Sequence, residues 1–219
     1  MKLTKFESTT VLYEDAATPV IRAEWQEDNG NTMFEEYHGI RAGLVYPTGM
    51  YPGYLLIAGQ TLETKLIRVL KELSFDVLGS LIEQLPGLMK TYFLDRIYHD
   101  DSQEALAFSA RISKTLGASD TPKGFKLPTL HPSYRSDSPT FGNDLIRLEL
   151  KDKKLLISGD SELARQMSSG WAEAYDERQL YGVKALRHIV CSFYDQPFRL
   201  PFKRPRPVRV TTPGAWMVR

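Results

Sequence analysis

The run TYFLDRIYHDDSQEA at 91–105 is apolar and strand-like, then ends on two adjacent carboxylates, Asp100 and Asp101, just before a helix begins. Short acidic side chains at such a point accept hydrogen bonds from the unpaired N–H groups of a first helical turn, which would make them turn and capping residues. The C-terminal edge of a sheet is also where a carboxylate can ligate a metal ion. Alternation along a strand sends neighbouring side chains to opposite faces, so only one of the two can point into a site. A metal centre would need partners from elsewhere in the chain. The other acids near predicted element ends or faces are Glu35, Glu36, Asp95, Asp144, Glu149 and Asp176, and each reads more simply as part of a solvated face or as a cap.

Other chemistry finds less support. His38, His99, His131 and His188 are scattered, with no i, i+4 pair and no accompanying cysteine, which speaks against zinc ligation. His99 beside Asp100 has the position of a general base, and equally that of a hydrogen-bonded strand-end residue. Cys191 is the single cysteine, excluding an intrachain disulfide; on an apolar helix it reads as a small buried hydrophobe. Neither a Gly-x-Ser-x-Gly elbow nor a Gly-x-x-x-x-Gly-Lys phosphate loop occurs, so no ATPase motif lies in this chain.

The C-terminal segment QPFRLPFKRPRPVRVTTPGAWMVR carries Arg199, Lys203, Arg204, Arg206, Arg209 and Arg219 with no acid after Asp195. Its prolines forbid a regular helix. An extended basic strip with Phe198, Phe202 and Trp216 interleaved has the chemistry to track a nucleic-acid backbone or dock on an acidic partner, and arginine favours bidentate contact with phosphate or carboxylate. The alternative is a tail that wraps its own domain.

Composition sets the frame for these candidates. The chain has 219 residues, 42% hydrophobic and 25% charged, as expected of one sizeable globular domain with an extension. A formal net charge of +1 gives no global attraction to nucleic acid or membrane, so such affinity must come from local clusters. No signal-peptide core and no run of spanning length is present, and the expected location is the cytosol.

The elements that would position the candidates follow from periodicity. Residues 9–25 offer two β-prone pieces, with a turn at EDNGN; GIRAGLVYPTG, YLLIAGQ and KLIRVLKEL follow as three strands. Asp76 is a candidate N-cap for a helix with Val77, Leu78, Leu81, Ile82, Leu85, Leu88 and Met89 in one stripe, which Pro86 and Gly87 should kink or shorten. FLDRIYH is the fourth strand, so 65–99 reads as a βαβ unit with parallel neighbours. A helix to about Leu116 comes next, with Ala105, Phe108, Ile112 and Leu116 on one side, and then a long loop at 117–138 with a short strand near Leu127–Leu130. Pro139 opens a third helix, LLIS is extended, Asp160 or Ser161 caps a fourth helix to about Ala172, and Asp176 caps the last, whose buried face is Leu180, Val183, Leu186, Val190 and Phe193.

That order, an α/β mixed sheet flanked by helices, resembles the RNase H-like nucleases. KTYFLDRIYHDDSQ, SPTFGNDLIRLELKDKKLLISGDSELARQM and DERQLYGVKALRHIVCSF resemble stretches of the nuclease domain of tailed-phage large terminases. The resemblance implies an N-terminal β extension at 1–38, an RNase H-like domain at 39–195 and a basic Pro/Arg-rich tail at 196–219. It also implies a site where carboxylates from the first strand, the end of the fourth strand and the last helix hold two Mg²⁺ or Mn²⁺ ions about 4 Å apart for phosphodiester hydrolysis. The strand-end acid falls on Asp100 or Asp101, with Asp100 the candidate metal ligand. The first-strand position holds Tyr46, ahead of Pro47, and the last-helix position holds Lys184, within YGVKALRH. An ammonium there can pair with Asp100 or Asp101 in place of metal.

The function so implied is that of a terminase-nuclease-like protein with an eroded two-metal site, acting by nucleic-acid or protein binding in a phage or mobile-element setting. The alternatives are an active Mg- or Mn-dependent DNA endonuclease and a non-enzymatic structural or adaptor protein. The expected partners are DNA, a separate packaging ATPase or another phage protein, without a membrane, in the cytoplasm of the host cell.

Overall fold

The computed structural model describes residues 6–15, 18–26, 32–94, 96–118, 129–132, 139–168, 171 and 180–195. Five strands come first: β1 (Phe6–Asp15), β2 (Thr18–Gln26), β3 (Thr32–Val45), β4 (Gly53–Thr61) and β5 (Ile67–Phe75). They are followed by α1 (Leu78–Tyr92), β6 (Arg96–His99), α2 (Gln103–Ala118), β7 (Thr129–Pro132), α3 (Pro139–Lys151), β8 (Leu155–Leu156), α4 (Glu162–Ser168) and α5 (Tyr181–Asp195). All eight strands belong to one mixed sheet.

β1 to β5 form an antiparallel meander, and β8 adds in parallel to β5. β3 is the hinge of the arrangement. Its first half, Thr32 to Tyr37, pairs with β2, whereas Ala42 and Gly43 pair in parallel with Ile97 and Tyr98 of β6, which in turn pairs in parallel with β7. The expectation that β5, α1 and β6 form a unit of neighbouring parallel strands is therefore corrected: α1 carries the chain past β4, and β6 lands beside β3. Periodicity reports which residues are buried but not which strand they pair with, and this crossover was invisible to it. β3 also runs through positions 38 and 39, where a β extension had been expected to give way to the main domain; a register shift between Tyr37 and Gly39 lies there.

The sheet has an apolar layer on each face. β4 explains why: eight consecutive positions from Gly53 are buried, the signature of a central strand covered on both sides. Leu55 and Ile57 face a core made with Leu78, Leu81, Leu85 and Met89 of α1 and Ala105, Ile112 and Leu116 of α2. Tyr54, Leu56 and Ala58 face the other, made with α3, α4 and α5. Burying each such large side chain stabilises the fold by about 1.5–3 kcal/mol.

Several helix expectations need revision. α1 begins after Val77, which makes no side-chain cap, so Asp76 is not the N-cap. Pro86 does not shorten the helix, which runs through it to Tyr92 and ends on Phe93 in the left-handed region (φ 50°). That end trims the expected strand FLDRIYH to Arg96–His99. α4 stops at Ser168, and Ser161 is its cap, its Oγ accepting from Ala164 N at 3.0 Å. α5 starts at Tyr181, and Asp176 lies outside the described residues. Its burial is not one-sided: Arg187, His188 and Ser192 are buried along with the apolar stripe, because β3 and β4 lie on one flank and α3 and α4 on another. No helix among the described residues is long and apolar enough to cross a membrane.

Candidate functional site

The carboxyl end of β6 meets the first turn of α5, and Asp100 sits at the junction. Alternation decides its direction: Ile97 packs in the α1/α2 core and His99 touches Tyr46 of that same core, while Tyr98 lies under Arg41, which also stacks on Phe193 of α5. Asp100 accordingly turns toward α5, and Asp101 is exposed. Asp100 Oδ2 accepts a hydrogen bond from Lys184 Nζ at 2.6 Å, an ion pair whose side chains are 16% and 28% exposed. Its other oxygen, Oδ1, accepts from the Ser102 hydroxyl at 2.7 Å and from Ser102 N at 3.3 Å, and Ser102 Oγ accepts from Ala105 N at 3.2 Å. One carboxylate thus orders the entry to α2 with one oxygen and holds α5 with the other. The turn reading of Asp100 is met through Oδ1, while the oxygen that a metal ion would need faces Lys184 instead.

Electrostatics agree with the geometry. Burial pushes the Asp100 carboxyl up, but the hydrogen bonds from Lys184 and Ser102 outweigh it and hold the group below the usual carboxylate range. His188, one turn after Lys184 on α5, is fully buried; burial first and the Lys184 charge second push its imidazole down to about 3. His99 is also fully buried, its Nδ1 hydrogen-bonded to the Asp100 carbonyl at 2.6 Å. Sealed from solvent, neither imidazole is placed to exchange a proton with a substrate, so the general-base role considered for His99 is not supported by its setting.

Tyr46 stands apart from this pair. It lies in the α1/α2 core, stacked on Phe108 at 5.1 Å and edge-on to His99 at 5.7 Å, and its hydroxyl is held well above its ordinary value by burial and then by the Asp100 charge. On the opposite face of β3, toward α5, stand Arg41, Gly43 and Val45. Neither side of this strand end brings an acid to Asp100.

The position of Lys184 depends on how α5 is seated. A Cβ at Gly43 would lie 2.0 Å from the Ala185 carbonyl oxygen, so the glycine is what lets α5 lie against β3. Gln166 of α4 caps the helix from outside: its Oε1 accepts from Gly182 N at 2.8 Å and Val183 N at 3.4 Å. Glu72 of β5 accepts from Leu163 N at 3.3 Å and from the Tyr54 hydroxyl, so the starts of α4 and α5 are both held by side chains from other elements. Sequence patterns carry no signal for either cap, since each acts across many residues.

The remaining acids are engaged elsewhere. Glu35 meets Tyr37 and Arg68, Glu36 pairs with Arg22 at 2.7 Å, and Asp144 pairs with Arg147 at 3.0 Å. Glu149 is a correction to the solvated-face reading: it is buried against α5 and accepts from the Tyr194 hydroxyl at 2.8 Å. Asp95, Asp176, the side chain of His131 and the basic residues Arg199, Lys203, Arg204, Arg206 and Arg209 fall outside the described residues.

These donors do not fit a pair of divalent ions. Among the described residues no three His, Cys, Asp or Glu side chains gather where they could hold a metal. An ammonium occupies the near side of Asp100, and a dication about 4 Å from it would be repelled by roughly 8 kcal/mol at an effective dielectric of 20.

No protein-family model matches the sequence, and no curated protein does. Solved structures do match. The large terminase nuclease of thermophilic phage G20c superposes with a TM-score of 0.51 at 14% identity, covering 90% of this chain and 94% of that one. Its zinc-bound form gives 0.51 at 13% identity over 89% and 93%. The nuclease domain of the bacteriophage SPP1 large terminase, g2p, with bound Mn, gives 0.49 at 16% identity over 73% and 88%. The central path β5-β4-β3-β6-β7, three antiparallel strands continued by two parallel ones and covered by helices on both faces, is thus the RNase H-like fold of the phage large-terminase nucleases.

Proposed function

We propose that this chain is a terminase-nuclease-like protein of a phage or mobile element, working in the host cytoplasm, that uses the RNase H-like scaffold for binding and has given up two-metal hydrolysis. The observation that carries the reading is the 2.6 Å contact between Lys184 and Asp100. Two-metal hydrolysis needs several anions converging on a pair of cations. Among the described residues a single carboxylate faces this junction, and it is already neutralised by a side chain of its own fold.

The partner class proposed is DNA, together with a separate packaging ATPase or another phage protein. Support for DNA comes from the sequence of the C-terminal segment, where Arg199, Lys203, Arg204, Arg206 and Arg209 alternate with prolines and aromatic residues. Incubation of the full chain with plasmid DNA and Mg²⁺ or Mn²⁺ tests the absence of cleavage. Divalent-dependent nicking by the wild type that disappears in Asp100→Ala would overturn the reading and establish an active endonuclease, with Mg²⁺ or Mn²⁺ as its cofactor. Binding is tested by the salt dependence of DNA affinity. Replacing those basic residues together with glutamine should flatten the slope of log K against log salt by up to about 4.5, given roughly 0.9 per phosphate contact. An unchanged slope would remove DNA as the partner of that segment.

A further inference from the structure

Lys184 lies in the first turn of α5, where unpaired N–H groups give a helix a partial positive charge and where acids, not lysines, are favoured. That turn contains no acid at all. The lysine is therefore placed against the preference of its own helix, and a contact elsewhere must compensate for it. The contact on hand is Asp100, whose second oxygen is committed to Ser102 at the start of α2. β6 and α2, which follow one another in the chain, and α5, whose Lys184 lies 84 residues later, meet at this one carboxylate.

We infer that the Lys184 ammonium is a tethered counter-ion doing the structural work of a bound cation, and that the Asp100 pocket takes a small cation from solution once that ammonium is removed. The inference rests on the proposed loss of two-metal hydrolysis, but it makes a separate claim: the junction is held by a positive charge at this point, and the fold supplies that charge itself. Divalent ions then have no part in the stability of the wild-type protein. In Lys184→Ala, the truncated side chain leaves both an unpaired carboxylate and the space of the missing aminopropyl group. Ethylammonium brings the charge and part of the stem back, whereas Lys184→Met keeps the space filled without charge.

The test is thermal unfolding of the full chain. For the wild type, the melting temperature should be unmoved by millimolar Mn²⁺ or by EDTA. Lys184→Ala should melt several degrees lower and regain at least half of that loss in ethylammonium chloride, relative to tetramethylammonium chloride at equal ionic strength; Lys184→Met should melt low and stay low. Lys184→Arg should remain near wild type. The inference is overturned if Lys184→Ala melts with the wild type, if ethylammonium does no more than the salt control, or if Mn²⁺ raises the wild-type melting temperature saturably. Should Lys184→Ala fail to fold, the Mn²⁺ titration of the wild type and the behaviour of Lys184→Arg still decide the matter. Mn²⁺-dependent DNA cleavage by the wild type would defeat the functional reading itself; an unrescued Lys184→Ala alongside a wild type indifferent to Mn²⁺ would defeat only the counter-ion.

Discussion

Substitution of Gly43 by alanine tests the seating of α5 against β3. The added Cβ would stand 2.0 Å from the Ala185 carbonyl oxygen and 3.2 Å from Ile189 Cγ1, whereas Cβ contacts below 3.0 Å essentially do not occur. The obstructing atom is backbone, so no rotamer change relieves the clash, and α5 must retreat by at least about 1 Å. Lys184 is the residue next to Ala185, and the same movement draws its ammonium away from Asp100. Overpacking of a tight core typically costs about 1–3 kcal/mol, and with the ion pair weakened as well the expected loss is about 3 kcal/mol. For a chain of this size that lowers the melting temperature by roughly 6–12 °C. Gly79→Ala is the matched control: on α1, with nothing within 4 Å of the added carbon, it should stabilise by up to about 1 kcal/mol. Urea unfolding of both variants reads the difference directly. A Gly43→Ala protein within about 0.5 kcal/mol of wild type would show that α5 does not rest on β3 in this way.

Stability should fall on acidification in two stages. His188 has its folded value pushed down to about 3 from an ordinary 6.5, so the unfolded chain takes up the extra proton between those limits and stability declines as pH drops below about 6.5. Asp100, lowered from 3.8, adds a further loss as pH passes down through its folded value, and urea unfolding of His188→Leu should show only this second stage. Asp100→Asn should lose about 2 kcal/mol in chemical denaturation, less than for a fully buried pair because both side chains are partly exposed, whereas Asp101→Asn should stay within about 0.5 kcal/mol. Gln166→Ala should cost about 1–2 kcal/mol by leaving two N–H groups of the α5 start unpartnered, and hydrogen exchange should quicken at Gly182 and Val183.

Local periodicity made most of the elements legible: the β-rich first half, the α1 stripe apart from Val77, which precedes the helix and is exposed, and the α2 positions Ala105, Phe108, Ile112 and Leu116 pack as their spacing implies. What periodicity lacks is any record of pairing partners, and so the landing of β6 beside β3 escaped it. Burial of polar side chains escaped it as well. Glu149, Arg187 and His188 look like the wet side of helices until α3 and α5 are packed together. The meeting of Asp100 with Lys184, 84 residues later, was reached through the family pattern and not through the residues alone. The caps supplied by Gln166 and Glu72 had no counterpart in either source, because side-chain caps are ordinarily sought within a few residues of the helix they serve.

β3 lends one edge first to β2 and then to β6, with the register shift between Tyr37 and Gly39 in the stretch where the edge changes hands. Side chains in a strand repeat every second residue, so that irregularity sets the phase of everything downstream. Deleting one residue between Tyr37 and Ala42 would exchange inside for outside, aiming Leu44 at α5 and carrying the glycine that admits this helix to the wrong side. A few residues of β3, far ahead of the last helix in the chain, thereby determine whether that helix can approach the sheet at all.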